Sequence, residues 1–230
     1  MYGRNIFLRN GALEFSGMPP VEPAFRRLKD MQSLFLDASA EDDDEILYIM
    51  YRNVILPEHR SVFQGMNLRY DVTVMPVKFI GMEFVKTCGH FHPGGYPEIY
   101  EVLEGECHFL LQKEGDFVVI RAGEGDVVVF PGEYGHVTTN PHGRTLVLAN
   151  IVSGAFASDY SLYGKLKGAA YYDTTGGFVK NPNYGDVKMR SAKPNGASLG
   201  PDIYNVFMKS PEKFAFLSKP ENIPEEFLAL

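Results

Sequence analysis

The chain has 230 residues, of which 45% are hydrophobic, a content that suits one sizeable domain or one domain with extensions. Its formal net charge of −7 at pH 7 argues against nucleic acid and anionic lipid as partners. No run approaches the about 18 apolar residues of a membrane span, and residues 1–15 lack the apolar block of a signal peptide, so we expect a cytoplasmic protein with no membrane partner.

The predicted elements begin with a helix. The stretch VEPAFRRLKDMQSLFLDA, residues 21–38, has its apolar side chains at helical spacing. These side chains are Phe25, Leu28, Met31, Leu34 and Phe35. The pattern predicts one amphipathic helix in an N-terminal segment that covers residues 1–44.

Short strand-like segments follow from residue 45 to residue 172. They include EILYIMYRNVIL, LRYDVTVMPVKF, MEFVKTCGHFH, IYEVLEGECHFLLQ, DFVVIRA, DVVVF and TLVLANIV. Each is rich in Val, Ile, Phe, Tyr or Thr, and Gly, Pro or Asn separates it from the next, which predicts an all-β barrel or sandwich. Residues 173–230 have many Pro, Gly and Asn with little periodicity, which predicts an irregular C-terminal extension packed on the barrel.

A metal site is predicted where two histidines alternate on a strand. In GHFHPGGYPEIYEVLEGE, His90 and His92 point to the same side of an extended chain, and Glu98 returns beside them after a Pro-Gly-Gly turn. In GDVVVFPGEYGH, His136 follows a second Pro-Gly turn at the end of an apolar strand. Three imidazoles and one carboxylate are a ligand set that suits Fe²⁺, Mn²⁺, Ni²⁺ or Zn²⁺.

These stretches resemble the two sequence motifs of the cupin superfamily. The matching positions are His90, His92, Glu98, Gly105, Gly125, Pro131, His136 and Asn140. A closer resemblance is to the cupin-type glucose-6-phosphate isomerases, through TCGHFHPGGYPEIYEVLEGECHFLLQ, FRRLKDMQSLF, GMEFVKT and SDYS. It covers roughly residues 24–165. Phe84 and Glu133 depart from the cupin motif glycines, and Val152 and Ser158 stand where the isomerase family has Tyr and His.

The resemblance implies a cupin β-barrel, a homodimer and a sugar phosphate substrate. It implies one divalent ion per subunit, Fe²⁺ first, with His90, His92, Glu98 and His136 as its ligands. It also implies catalytic roles for Glu98 and Tyr100. The substrate-binding residues that it implies are Tyr48, Thr73, Thr87, Gly89 and Tyr160, of which all but Tyr160 would form the phosphate pocket.

The function expected is metal-dependent interconversion of glucose 6-phosphate and fructose 6-phosphate. A divalent ion can stabilise the charge that develops on the C1 and C2 oxygens while a hydrogen moves between these carbons. The hydrogen can move as a proton through a cis-enediol or as a hydride, and the sequence leaves both routes open. Two other classes also stay open. One is a different metal-dependent cupin enzyme, such as a dioxygenase or another sugar-phosphate isomerase, and the other is a non-catalytic cupin that binds sugar phosphate or metal.

Overall fold

A computed structural model describes residues 6–39, 42–228 and 230 of the chain. Within them, sixteen strands form: β1 Ile6–Arg9, β2 Ala12–Phe15, β3 Pro23–Arg27, β4 Ile46–Tyr51, β5 Leu68–Met75, β6 Phe79–Ile80, β7 Glu83–Phe84, β8 Glu98–Glu104, β9 Glu106–Lys113, β10 Asp116–Gly123, β11 Val127–Phe130, β12 Gly135–Thr139, β13 Leu146–Ser153, β14 Tyr171–Thr174, β15 Gly177–Lys180 and β16 Lys188–Ala192. The strands dominate the fold, as the short strand-like segments of the sequence predict.

The helices are short. The α-helices are α1 Arg60–Gly65, α2 Ser161–Lys165, α3 Ile203–Lys209 and α4 Glu225–Leu228. The 3₁₀ helices are Leu28–Asp30, Gln32–Leu34, Pro57–His59, Pro211–Leu217 and Pro220–Asn222. In the part of the chain that the structure describes, no helix has the length and apolarity needed to cross a membrane.

Two facing sheets make up the body of the protein. The larger sheet has six antiparallel strands in the order β11-β8-β13-β5-β4-β3. The smaller has four strands in the order β12-β9-β10-β16, and its last pair is parallel. Two sheets packed in this way are a jelly roll, which confirms the predicted all-β cupin fold, although the strands do not close into one continuous sheet.

Both faces of the six-stranded sheet are buried. Successive residues of a strand point to opposite faces, so along β13 Leu146 and Leu148 enter the core between the two sheets, whereas Val147 and Ile151 enter a second core outside. Every residue of β13 is buried. This explains why its sequence is a nearly continuous apolar run rather than an alternating one.

The predicted N-terminal helix is wrong. Residues 23–27 form β3, which pairs antiparallel with β4, and two 3₁₀ helices follow. Leu28, Met31 and Leu34 are all buried, and their spacing of three residues is the period of a 3₁₀ helix as well as part of an α-helical pattern. Pairing with the sheet edge therefore replaces the helix, and Phe25 is left 46% exposed on that edge.

The C-terminal extension contains strands and helices, in contrast to the irregular structure that the sequence predicts. Strand β16 joins the four-stranded sheet, and α3, α4 and the 3₁₀ helix Pro211–Leu217 pack on the outer face of the six-stranded sheet. Phe207, Phe214 and Phe227 anchor this cover. These aromatic side chains lie among Pro and polar residues without strand-like alternation, which is why the sequence pattern conceals their burial. With β3 and β16, both sheets extend beyond residues 45–172.

Candidate metal centre

The backbone brings the predicted ligands together from three segments. His90 and His136 face each other across a bridge in which His136 N donates to His90 O at 3.1 Å. His92 lies two residues after His90, just before the turn in which Gly95 N donates to His92 O. Glu98 opens β8, the strand next to β11 in the six-stranded sheet. All four side chains therefore meet between the two sheets.

The ligand atoms of these four residues lie within 4.8 Å of one another. His90 Nε2 is 3.2 Å from His92 Nε2. Glu98 Oε2 is 3.4 Å from His92 Nε2 and 3.3 Å from His136 Nε2. Ligands about 2.1 Å from one transition-metal ion have neighbouring ligand atoms separated by about 3 Å. The observed spacings match that separation.

Burial keeps the three imidazoles neutral. Removal from water lowers the pKa of His136 to about 3 and that of His92 to about 4. The same desolvation lowers the pKa of His90 well below its usual value, and the neighbouring His136 lowers it further. A neutral imidazole has a free lone pair on one ring nitrogen, which is the form that binds a metal ion.

Hydrogen bonds from outside the cluster orient three of the four side chains, the longest of them between His90 Nδ1 and the Cys88 carbonyl at 3.4 Å. His92 Nδ1 lies 2.8 Å from the carbonyl oxygen of Tyr96, which leaves the lone pair on Nε2 inside the cluster. Asn150 Nδ2 donates to Glu98 Oε1 at 2.7 Å, so Oε2 is the carboxylate oxygen that faces the imidazoles. Asn150 is absent from the sequence-based predictions. Its polar side chain in the otherwise apolar strand TLVLANIV is the signal that would have found it.

The buried polar atoms of the cluster fit a divalent metal ion. Glu98 Oε2 and both ring nitrogens of His136 are buried, and none of them has a hydrogen-bond partner among the described residues. An unpaired buried polar group destabilises the fold by about 1–3 kcal/mol, more when it is charged. A cation at the centre of the cluster would accept the lone pairs of Glu98 Oε2 and His136 Nε2 and balance the carboxylate charge.

Tyr100 and Tyr160, two predicted site residues, lie beside the cluster. The ring of Tyr100 is 6.1 Å from that of His136 and stacks on Phe130. Desolvation, and next the charge of Glu98, raise the pKa of Tyr100 well above its usual value, so its hydroxyl stays a proton donor. The ring of Tyr160 lies 5.4 Å from that of His90, and this side chain is 40% exposed.

Tyr48 and Thr87, predicted for the phosphate pocket, contact the segment before His90. Tyr48 is buried, and its hydroxyl accepts a hydrogen bond from Cys88 N at 3.1 Å. Thr87 Oγ1 accepts from Thr138 N at 2.9 Å, which leaves its hydroxyl hydrogen available to another acceptor. Thr87 thus lies three residues before the ligand His90, and Tyr48 is hydrogen-bonded to Cys88, two residues before it.

Gly89 and Thr73 are the other two residues predicted for the phosphate pocket. Gly89 directly precedes the ligand His90, whereas Thr73 lies on β5 of the six-stranded sheet. A Cβ on Gly89 would lie 2.4 Å from the ring of Tyr163, so this position admits no side chain. Thr73 lies on β5, opposite Met50 on β4 and Leu148 on β13. It is thus two strands away from Glu98 and shares the inner face of the sheet with it.

Phe156 is a residue of the site that the sequence-based predictions do not contain. Its ring lies 4.3 Å from that of His92 and stacks on Tyr96 at 5.3 Å. Phe156 and Tyr96 together wall one side of His92. Phe156 lies in the loop after β13, and no pattern in that stretch distinguishes it from an ordinary loop aromatic.

Comparison with protein families decides the family of the chain. A family model described as glucose-6-phosphate isomerase (GPI) matches residues 25–189, well over half of the chain. The chain belongs to this family. The match confirms the predicted resemblance to this family.

Solved structures resemble the chain only distantly. Vicilin from Capsicum annuum has 13% identity and a TM-score of 0.38 over 48% of this chain and 30% of its own. A single-substitution variant of oxalate decarboxylase from B. subtilis has 17% identity and a TM-score of 0.37 over 48% of this chain and 26% of its own. The chain thus spans less than a third of the length of either protein. A comparison with curated proteins gives no match.

Proposed function

We propose that this member of the glucose-6-phosphate isomerase family is a metal-dependent enzyme that interconverts glucose 6-phosphate and fructose 6-phosphate. The observation that carries the metal dependence is the convergence of three neutral imidazoles and one carboxylate within 4.8 Å, with buried lone pairs that no protein donor satisfies. The family match supports the substrate pair.

His90, His92, Glu98 and His136 would hold the ion. A bound divalent ion supplies a Lewis acid that stabilises negative charge on the sugar oxygens at C1 and C2. The protein contributes a closed, oriented ligand set, since the Tyr96 carbonyl holds the ring of His92 and Asn150 holds the carboxylate of Glu98. The donor set is compatible with several ions, and we propose Fe²⁺ on the resemblance to the family, with Mn²⁺, Ni²⁺ and Zn²⁺ as alternatives.

Tyr100 and Glu98 are the proposed catalytic side chains. Tyr100 lies two residues after Glu98 on the same face of β8, and the charge of that carboxylate helps to keep its hydroxyl protonated. A protonated hydroxyl beside a carboxylate can donate a hydrogen bond to a sugar oxygen. In the cis-enediol route the carboxylate would carry the proton between C1 and C2. A hydride route would need no base at Glu98. If Glu98 does move a proton, substitution of Glu98 by Gln should lower the rate more than it lowers the metal content.

The phosphate group is proposed to lie on the other side of His90. Tyr48, Thr73, Thr87 and the Gly89 N–H would bind it, and Tyr160 would line the pocket between the phosphate and the metal. Holding a substrate at both ends fixes its reacting carbons relative to the ion, which is the main advantage of binding an open chain. Substrate without the phosphate should therefore react poorly.

We propose a cytoplasmic homodimer. Strand β3 is an outer strand of the six-stranded sheet, and the exposed Phe25 lies on it. A sheet edge with an exposed aromatic side chain is usually covered by another chain. Sedimentation of the metal-loaded protein at micromolar concentration tests this, and a monomer alone contradicts it.

A coupled assay for glucose 6-phosphate formed from fructose 6-phosphate tests the proposed reaction. Chelated protein should be inactive, and addition of Fe²⁺ or Mn²⁺ should restore turnover. Equal turnover by the chelated protein would remove the metal from the mechanism. Tight sugar-phosphate binding without turnover under any metal would identify a binding protein, and O₂ consumption would identify an oxygenase.

A further inference from the structure

We propose that Arg26 is the cation that binds the phosphate group of the substrate. This rests on the proposed function, because it assigns a charged partner to the phosphate end of the same pocket. The residues proposed above for that end are neutral hydroxyls and an N–H, and a phosphate dianion in a partly buried pocket is stabilised most by a guanidinium.

The position of Arg26 in the sheet directs it toward that end. On β3 it pairs in register with Tyr48 on β4, so the two side chains share the inner face of the sheet. The guanidinium lies against the Tyr48 hydroxyl, and that hydroxyl accepts the Cys88 N–H at 3.1 Å. Arg26 therefore borders the segment that ends in the ligands His90 and His92.

Among the residues that the structure describes, no carboxylate pairs with the guanidinium of Arg26. Its Nε is buried with no hydrogen-bond partner among them. Arg52 and Arg69, by contrast, each form an ion pair with the carboxylate of Asp71.

A buried donor without an acceptor destabilises the fold unless a ligand supplies the acceptor. Burial acts to lower the pKa of Arg26, but Tyr48, and then Cys88 and Tyr160, outweigh it and raise the pKa, so the positive charge is retained. Tyr160 also stands 5.4 Å from the ring of His90, between the two ends of the pocket. Tyr160 thus neighbours both Arg26 and the ligand His90, so a sugar phosphate lying along it would have its phosphate beside the guanidinium and its sugar oxygens beside the metal cluster.

Arg26→Gln tests the assignment, because it removes the charge with little change in length. In the metal-loaded protein we expect the KM for fructose 6-phosphate and the Kd for inorganic phosphate, measured by calorimetry, to rise by about 10- to 100-fold. Arg26→Lys keeps the charge but loses the planar fork, and its rise should be smaller. Arg121→Gln removes the same charge from an exposed site on β10 and should leave both constants unchanged.

Unphosphorylated fructose provides the internal control. Its turnover, although slow, should be the same in wild type and Arg26→Gln, because the contact concerns the phosphate alone. Unchanged phosphate affinity in Arg26→Gln, or an equal loss with fructose, would overturn the assignment. If Arg26→Gln does not fold, the same comparison is made with Arg26→Lys, and an unchanged Kd there overturns it.

The two proposals fail separately in this experiment. Normal turnover in every variant with unchanged constants would reject Arg26 and leave the isomerase intact. A phosphate Kd that depends on Arg26 without any turnover would keep the phosphate site and reject the proposed reaction. If fructose 6-phosphate binds no more tightly than inorganic phosphate, the sugar makes no contact when the phosphate is bound. The anion site would then be separate from the sugar site, which rejects the assignment of Arg26 to the substrate phosphate.

Discussion

The two faces of the six-stranded sheet are built from the same strands but have opposite chemistry. On the inner face, β4, β8 and β13 present Tyr48, Glu98 and Asn150 toward the metal cluster and its pocket. On the outer face, the alternate residues Ile99 and Ile151 join a largely apolar core, and the buried carboxylate of Glu101 there accepts hydrogen bonds from the backbone at the start of α3. Because the side-chain period of a strand is two, a single residue separates a position that serves the site from one that serves stability.

The comparison also explains how a polar cluster can be tolerated in the middle of a small protein. Between the two sheets, Glu98 on the inner face of the larger sheet and His136 on β12 of the smaller sheet have buried atoms that no described residue pairs with, and each destabilises the fold in the absence of an ion. The outer face compensates with aromatic side chains from the C-terminal extension, such as Phe207 and Phe214, which form an edge-to-face pair with ring centroids 5.3 Å apart.

Loss of a ligand between the sheets should have the largest effect on function and little effect on the stability of the metal-free protein. In His136→Ala we expect turnover and metal content to fall by more than about 100-fold. This loss exceeds the loss of about 10- to 100-fold that follows when a residue hydrogen-bonded to a ligand is removed. The chelated variant should melt no lower than chelated wild type, since the unsatisfied ring nitrogens are gone. His142→Ala, at an exposed histidine, is the control and should keep both metal and turnover. Full metal content in His136→Ala would remove His136 from the ligand set.

A change on the outer face should do the reverse. Phe214→Ala opens a cavity at a fully buried position and should lower the free energy of unfolding by about 3–5 kcal/mol. At a temperature where the variant is folded, its kcat should equal that of wild type. Val179→Ala, at a side chain that is 40% exposed, should change stability by less than about 0.5 kcal/mol. A matching fall in kcat for Phe214→Ala would show that the two faces are coupled.

Asn150 lies on the inner face but contacts the ligand Glu98 rather than the ion. Asn150→Leu removes the donor to Glu98 Oε1, so metal affinity should weaken by about 10- to 100-fold, with activity recovered at high metal concentration. Competition with a chelator of known affinity measures the change. Asn150→Asp also loses the amide donor, but its added negative charge attracts the ion, so its affinity should lie between those of Asn150→Leu and wild type. Wild-type affinity in both variants would mean that the hydrogen bond does not orient Glu98.

The smallest effect is expected at Phe156, which walls His92 without a polar contact. An aromatic pair contributes about 0.5–1.5 kcal/mol beyond its buried area. Phe156→Leu should therefore change kcat/KM by less than about 10-fold and leave the metal content unchanged. Steady-state kinetics on the reconstituted protein checks this. Loss of metal in the variant would contradict it and show that Phe156 is needed to hold His92 in its ligand position.

The sequence predicts the position of the metal cluster because its signals are local. His90 and His92 alternate on one strand, and Glu98 and His136 each follow a turn that Gly and Pro mark. Asn150 stands out in the sequence as a polar residue in an apolar strand, but neither its partner Glu98 nor the contact of Phe156 with His92 was predicted, since each depends on which strands and loops meet in space. Such contacts are a property of the tertiary pairing, which a single sequence does not encode in a short pattern.

The N-terminal segment shows where sequence periodicity fails. Phe25, Leu28 and Met31 fit an α-helix, but residues 23–27 pair with β4 and leave Phe25 exposed. Tertiary pairing with an available sheet edge overrides the local pattern. The same error hides Arg26, because only a strand places its side chain on the same face as Tyr48.

The pairing of β16 with β10 limits how early the four-stranded sheet can be completed during synthesis. Strand β16 pairs in parallel with β10 although it follows that strand by about 65 residues, so during translation the apolar edge Val118–Ile120 is without its partner until residue 192 has left the ribosome. At about 5–20 residues per second the wait lasts roughly 3–13 seconds. A nascent chain that stalls in this interval carries an open, hydrophobic β-edge, and chaperones that shield such edges would act on this protein late in its synthesis.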